Sequence, residues 1–174
     1  VVDQAKTSIT YKNPFATRNT DENHIVDPEF HLHAFQFREK EILASAAKRI
    51  KKLLDSGLDS FDAFNIAQHH LINVGQAYLE RVVLEQFQLQ IETTNDKGSK
   101  AILSKLCQLY ALSTIEKNAS WYLEQGYMEG VKTKAIRKAV NQLCWEIRQN
   151  AVPLVHAFNI PESCLSAPIV TKKK

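Results

Sequence analysis

Only five glycines and five prolines punctuate this chain of 174 residues, and that scarcity constrains its fold more than any other feature. An all-β chain needs turn residues at short, regular intervals, because each strand must end in a tight reversal. This sequence does not supply them, which leaves long helices as the economical solution. Hydrophobic residues make up 44% and charged residues 24%, an ordinary globular balance, and the length suits one domain with a sizeable core.

Helical periodicity follows the punctuation. Residues 1–26 show no sustained period and carry turn formers around Asn13-Pro14 and Asn19-Thr20-Asp21, so they read as an extended leader or linker. Asp27-Pro28 then supplies an N-cap oxygen followed by a residue suited to the first helical position. Leu32, Phe35, Ile42, Ala46, Ile50 and Leu53 recur at helical spacing until Gly57, which predicts a first amphipathic helix. A second begins at Asp59-Ser60, carries Phe64, Ala67, Leu71, Val74, Tyr78, Val82 and Phe87, and closes in TTNDKGS at 93–99. A third runs from about Ser99 through Ile102, Leu106, Leu109, Leu112, Ile115 and Trp121, fading before Gly126. The fourth runs from about Lys132 through Ile136, Val140, Leu143 and Ile147 to Phe158. Pro153 kinks or restarts it near Asn150, since proline removes an amide donor and crowds the preceding turn. Together these predict an all-α, up-and-down antiparallel bundle of four main helices over 27–169, behind the extended leader and ahead of a loose tail, 170–174.

Several function classes fall away on composition. The net charge of +3, from 22 basic and 19 acidic residues, is too mild to imply nucleic acid. No apolar run approaches the roughly 18 residues of a membrane span. The opening VVDQAKTSIT has no signal-peptide pattern and no initiating Met, so the chain reads as a mature, processed or excised segment. Cys107, Cys144 and Cys164 are odd in number and form no CxxC, which fits reduced, mostly buried thiols rather than a disulfide or zinc framework.

The stretch DENHIVDPEFHLH at 21–33 is the densest chemical cluster: His24, His31 and His33 among Asp21, Glu22, Asp27 and Glu29. A di-metal bundle would need Glu-x-x-His, whose spacing puts both ligands on one helix face, and the chain contains none. His31 and His33 lie about 200° apart around a helix, and adjacent His69 and His70 also diverge, so no metal site is assigned. No cysteine has a recognisable activating partner, and Cys107 and Cys144 read as core. Neither GxSxG nor a glycine-rich phosphate loop occurs. The basic runs KRIKK at 48–52 and KTKAIRK at 132–138 read as solvated faces, and Trp121-Tyr122 as core or interface.

Four longer segments together resemble one family. They are TRNTDENHIVDPEFHLHAFQFREKEIL at 17–43, AQHHLINVGQAYLERVVLEQF at 67–87, LSKLCQLYALSTIEKNASWYLEQGY at 103–127 and KAIRKAVNQLCWEIRQNAVPLVHAFNIPESCLSAPI at 134–169. In this combination they resemble the C-terminal helical domain of the acyl-CoA oxidases, over roughly residues 12–169. The resemblance implies a part of an FAD-dependent enzyme of fatty acid β-oxidation that converts acyl-CoA and O2 to trans-2-enoyl-CoA and H2O2. It implies a homodimer, with the catalytic domains of the same oxidase as partners and the fatty acyl-CoA held mainly by those domains. The family's catalytic glutamate and main flavin contacts lie upstream of the matched region. No catalytic or cofactor-binding residue is therefore assigned, and Glu22, Glu29 and Glu39 are not promoted to that role. The segment alone is expected to be inactive and to hold no FAD. A eukaryotic member is expected in the peroxisome, a bacterial one in the cytoplasm. The competing reading is a stand-alone, non-catalytic helical interaction module. Aromatic candidates for a partner surface are Tyr78, Trp121, Tyr122 and Phe158, with their inward or outward direction left open by the sequence.

Overall fold

The computed structural model describes residues 17–161 and Cys164; among them there is no strand. A one-turn α1 (Glu22–Ile25) leads into α2 (Pro28–Asp55), α3 (Ser60–Thr93) and α4 (Lys97–Lys117). A short α5 (Ala119–Glu124) and α6 (Gly130–Ile147) follow, then a 3-10 turn (Arg148–Asn150) and α7 (Ala151–Ala157). The four long helices, α2, α3, α4 and α6, are the expected bundle.

Capping chemistry places the boundaries. The Asp27 carboxylate accepts from the Glu29 amide at 3.0 Å, with Pro28 in the first turn of α2. Gly57 ends that helix at φ +92°, while the Gly57 amide donates to Leu54 O and the Leu58 amide to Leu53 O. That pairing closes a helix through a left-handed residue that only glycine adopts without strain. Gly126, at φ +67°, closes α5 in the same way, its amide bonding to Leu123 O and that of Tyr127 to Tyr122 O. Asp59 and Asp96 cap α3 and α4 through the amides of Phe61, Asp62 and Ser99.

The helices pair antiparallel. Pro28 O accepts from Gln88, and further along α2 Arg38 meets Glu80, which lies back toward the start of α3, so numbers rising along α2 face numbers falling along α3. Lys105 with Glu146 and Glu116 with Arg137, each at 2.9 Å, set the same register between α4 and α6. At about 1.5 Å per residue, α2 and α3 extend to roughly 42 and 51 Å, but α4 and α6 only to roughly 32 and 27 Å. The α2–α3 hairpin therefore projects beyond the four-helix body. Phe30, Phe35, Leu84, Leu112, Ile115, Tyr122, Met128 and Ile136 pack in that body. In the projecting arm the buried residues are Ala46, Ala63 and Ala67, small enough for two helices to press together without a wider core.

Three expectations change and one holds. The end of the leader is not extended: Asp21 caps the turn α1, whose Ile25 packs into the core. The third helix breaks at Asn118, where the backbone leaves helical geometry and the side-chain amide donates to Thr114 O at 2.8 Å. The fourth holds to expectation: it starts at Gly130, close to Lys132, and breaks into the 3-10 turn just ahead of Pro153, at the place proline chemistry predicts. Cys107 is buried as expected, whereas Cys144 and Cys164 are exposed. On α6 the inward row is Lys132, Ile136, Leu143 and Ile147, and it carries Cys144 about 100° off that row. Residues 1–16 of the leader and the tail 170–174 lie outside the described residues.

Candidate functional site

The densest cluster of the sequence forms a junction between the leader and the bundle. His31 is buried on α2, and its ring Nε2 lies 2.8 Å from Ile25 O. Nε2 therefore carries the hydrogen and donates. Burial holds the ring down to about 4, against a weaker upward pull from that hydrogen bond, so it is neutral at physiological pH. His33, two residues on, points to solvent. Among the described residues no group of three His, Cys, Asp or Glu side chains is placed to hold a metal ion.

His24 on α1 faces Lys132 on α6, with Nζ 2.9 Å from Nε2. Lys132 Nζ also sits 4.0 Å from the centroid of the Phe30 ring, within cation–π range. The expectation of a solvated basic face fails here, because Lys132 is buried among these rings while Lys134, Arg137 and Lys138 are exposed. Burial lowers the Lys132 ammonium to about 8, and burial, then the Lys132 charge, lowers His24. A neutral His24 accepts from Lys132. Beside them, Arg18 Nε lies 2.8 Å from both carboxylate oxygens of Glu129, and the Glu129 amide donates to Thr17 O at 3.0 Å. These contacts fasten the leader across the start of α6.

No acid–base or nucleophilic pair emerges among the candidates. Cys107 is pushed up to about 11 by burial, which keeps its thiol protonated and unreactive at neutral pH. His69 and His70 sit edge to face, 6.3 Å apart, on the projecting arm. Glu39 pairs with Arg81, while Glu22 and Glu29 are exposed. A groove of about 340 Å³ opens between α2, α3 and α4, with His31 and Cys107 in its floor and Gln88, Gln108, Glu29 and Glu92 around it.

One buried constellation has no counterpart in the motif reading. Arg38 and Glu39 on α2 cross Glu80 and Arg81 on α3 in two ion pairs, and Arg81 also binds Glu85 at 2.6 Å. Glu80 accepts from Gln76 through Oε1 at 2.9 Å, and its backbone carbonyl accepts from Tyr110 at 3.0 Å. The signal was present: Arg38 falls three residues after Phe35 and four before Ile42, on the apolar stripe itself. A charge on such a stripe needs a partner from the facing helix. Of the aromatic surface candidates, Tyr122 is core, 1% exposed, with its hydroxyl donating to Ala34 O at 2.9 Å. Trp121 packs partly against that core, whereas Tyr78 and Phe158 are exposed.

Comparison with known proteins places this arrangement. A family model described as acyl-CoA oxidase matches residues 27–172. Peroxisomal acyl-coenzyme A oxidase 2 of Arabidopsis thaliana is 34% identical over 163 residues, covering 94% of this chain and 23% of its own length. An acyl-coenzyme A oxidase-like protein of Mus musculus is 33% identical over 140 residues, covering 80% of this chain and 22% of its own. Among solved structures, acyl-CoA oxidase1 from Yarrowia lipolytica superimposes with a TM-score of 0.78 at 22% identity, over 94% of this chain and 24% of that one. Acyl-CoA oxidase-1 of Caenorhabditis elegans, complexed with FAD and ATP, gives 0.74 at 21% identity, over 92% of this chain and 25% of that one. At these identities the structures establish a shared fold. The chain spans about a quarter of the length of the relatives it matches.

Proposed function

Since the chain belongs to the acyl-CoA oxidase family, we propose that it is the C-terminal helical-bundle part of an FAD-dependent acyl-CoA oxidase. The whole enzyme would convert fatty acyl-CoA and O2 to trans-2-enoyl-CoA and H2O2 in β-oxidation. The observation that carries this reading is the match of residues 27–172 to the family, set beside relatives about four times longer. On this reading the chain is a supporting body of the enzyme: it covers and steadies the catalytic domains and shapes a homodimeric assembly. Residues 27–169 are its bundle, 1–26 the linker that enters it, and 170–174 a tail. In a eukaryote its compartment would be the peroxisome, the location in the names of several relatives.

The flavin and the acyl-CoA belong to the rest of that enzyme. The groove between α2, α3 and α4 does not fit a flavin dinucleotide, because its lining among the described residues includes Glu29 and Glu92 and no Lys or Arg to meet a pyrophosphate. No catalytic step is assigned to this chain's own residues. Purified alone, it is expected to show no flavin absorbance and to make no peroxide from acyl-CoA. Stoichiometric bound flavin would overturn the assignment of the chemistry to other domains. An interaction module without an oxidase is the competing reading. Intact mass of the native protein separates the two, since the oxidase reading requires a longer polypeptide that contains or accompanies this sequence.

A further inference from the structure

Helix α3 is apolar on two opposite faces. Its inward face carries Ala63, Ala67, Ala77 and Leu84, all buried against the neighbouring helices. Its outward face carries Phe61, Phe64, Ile72, Leu79 and Val83, which stay exposed; Phe61 is 74%, Ile72 63% and Leu79 61% accessible. With Gln68 and Gly75 these positions follow steps of three and four residues, so they form one straight stripe along the helix. Every Asp, Glu and Arg of α3 falls outside it: Asp62, Glu80, Arg81, Glu85 and Glu92 lie on the flanks or the inward side. At roughly 100 Å² of exposed surface for each of five large side chains, the stripe offers about 500 Å², more than half of one partner's share of a standard interface.

Gly75 supplies an independent indication. It lies in the middle of a 34-residue helix, and a Cβ built on it meets nothing within 4 Å. Among the described residues no turn, positive φ or close neighbour requires a glycine there, and a helix interior is weakened by one. What a glycine at the centre of an exposed apolar stripe provides is room for a foreign backbone to approach closely.

We propose that the outward face of α3, centred on Gly75, is the surface on which this chain docks against the remainder of its own oxidase polypeptide, through an equally uncharged apolar surface. The inference rests on the oxidase reading and names the contact through which that reading works. An occupant within the same enzyme follows from the length of the relatives. The relatives carry about three quarters of their length outside the matched segment.

The test places Leu79→Cys in the 174-residue chain and in the full-length oxidase that contains it, and follows maleimide labelling peptide by peptide. The thiol is expected to label readily in the chain alone and at least about ten-fold more slowly in the oxidase, because burial suppresses thiol reactivity. Equal labelling in both, with the oxidase still binding flavin and making peroxide, would overturn the docking surface and leave the oxidase reading intact. Protection already in the chain alone, together with a doubled mass, would assign the face to a second copy and overturn the proposal. Failure to find any longer polypeptide containing or accompanying the chain would remove the oxidase reading itself.

Discussion

His31 couples the fold to pH, and the direction follows from where its ring sits. Burial holds it at about 4, against 6.5 for an unperturbed ring, and its Nε2 hydrogen-bonds Ile25 O. Above pH 6.5 folded and unfolded chains both keep the ring neutral, and stability is complete. As pH falls the unfolded chain takes up a proton that the folded chain refuses until about 4. Stability should therefore drop through that window, by roughly 3 kcal/mol at its acid end. His24, also lowered, adds to the slope in the same direction. Replacing His31 by Leu should flatten the window while costing about 1–3 kcal/mol at neutral pH, because Ile25 O loses its buried donor. Urea midpoints at pH 7.5, 6 and 5 compare the two proteins directly, and identical slopes would refute the assignment. At this scale the sequence was half legible. Helical spacing alone turns His31 and His33 to different sides, which is why they share no task. That His31 reaches back to Ile25 depends on α1, a turn too short to leave a periodic signal, and the burial of Lys132 depends on the same turn.

At the scale of elements, boundaries written in capping chemistry were readable and boundaries made by packing were not. Asp27-Pro28, Asp59 and Gly57 each carry a local reason to start or stop a helix, and each does so. The break at Asn118 has no such unambiguous marker, since apolar spacing runs on through Trp121. Pairing between elements was also hidden, because no single helix shows which charge it will meet. The crossing of Arg38 and Glu39 with Glu80 and Arg81 is where α2 and α3 set their register. Arg38 and Glu80 side chains are only 8% and 16% exposed. Glu80→Ala would leave the Arg38 charge buried without its carboxylate, and should destabilise the chain by about 3–5 kcal/mol. Replacing both partners, as Arg38→Met with Glu80→Leu, should recover most of that loss, because the desolvation of two charges disappears along with their attraction. Denaturant titration of the single and double variants decides it. A single substitution costing under about 1 kcal/mol would mean that water screens the pair as it does at a surface.

For the molecule as a whole, the mismatch of helix lengths matters most. Two long helices project beyond two shorter ones, and the projecting arm is held together by alanines, so it contributes little core of its own. Such an arm is a poor use of sequence for a free-standing bundle and a reasonable one for a body that seats against something larger. Gly75 makes the difference measurable. In the isolated chain its substitution by alanine meets no obstacle, because the added methyl points into open space. Gly75→Ala should therefore raise the stability of the chain alone by about 0.5–1 kcal/mol, through the lost backbone freedom of the unfolded state. A bulky Gly75→Leu should leave the lone chain helical and no less stable, since the extra atoms also extend into solvent. In the assembled oxidase the order should reverse. If a partner backbone lies against this position, alanine crowds it and leucine displaces it, so thermal stability of the oxidase falls from glycine to alanine to leucine. Calorimetric melting of both forms of the protein tests the reversal. If alanine stabilises the whole enzyme as much as it does the isolated chain, nothing rests on Gly75, and the centre of the docking face lies elsewhere on the molecule.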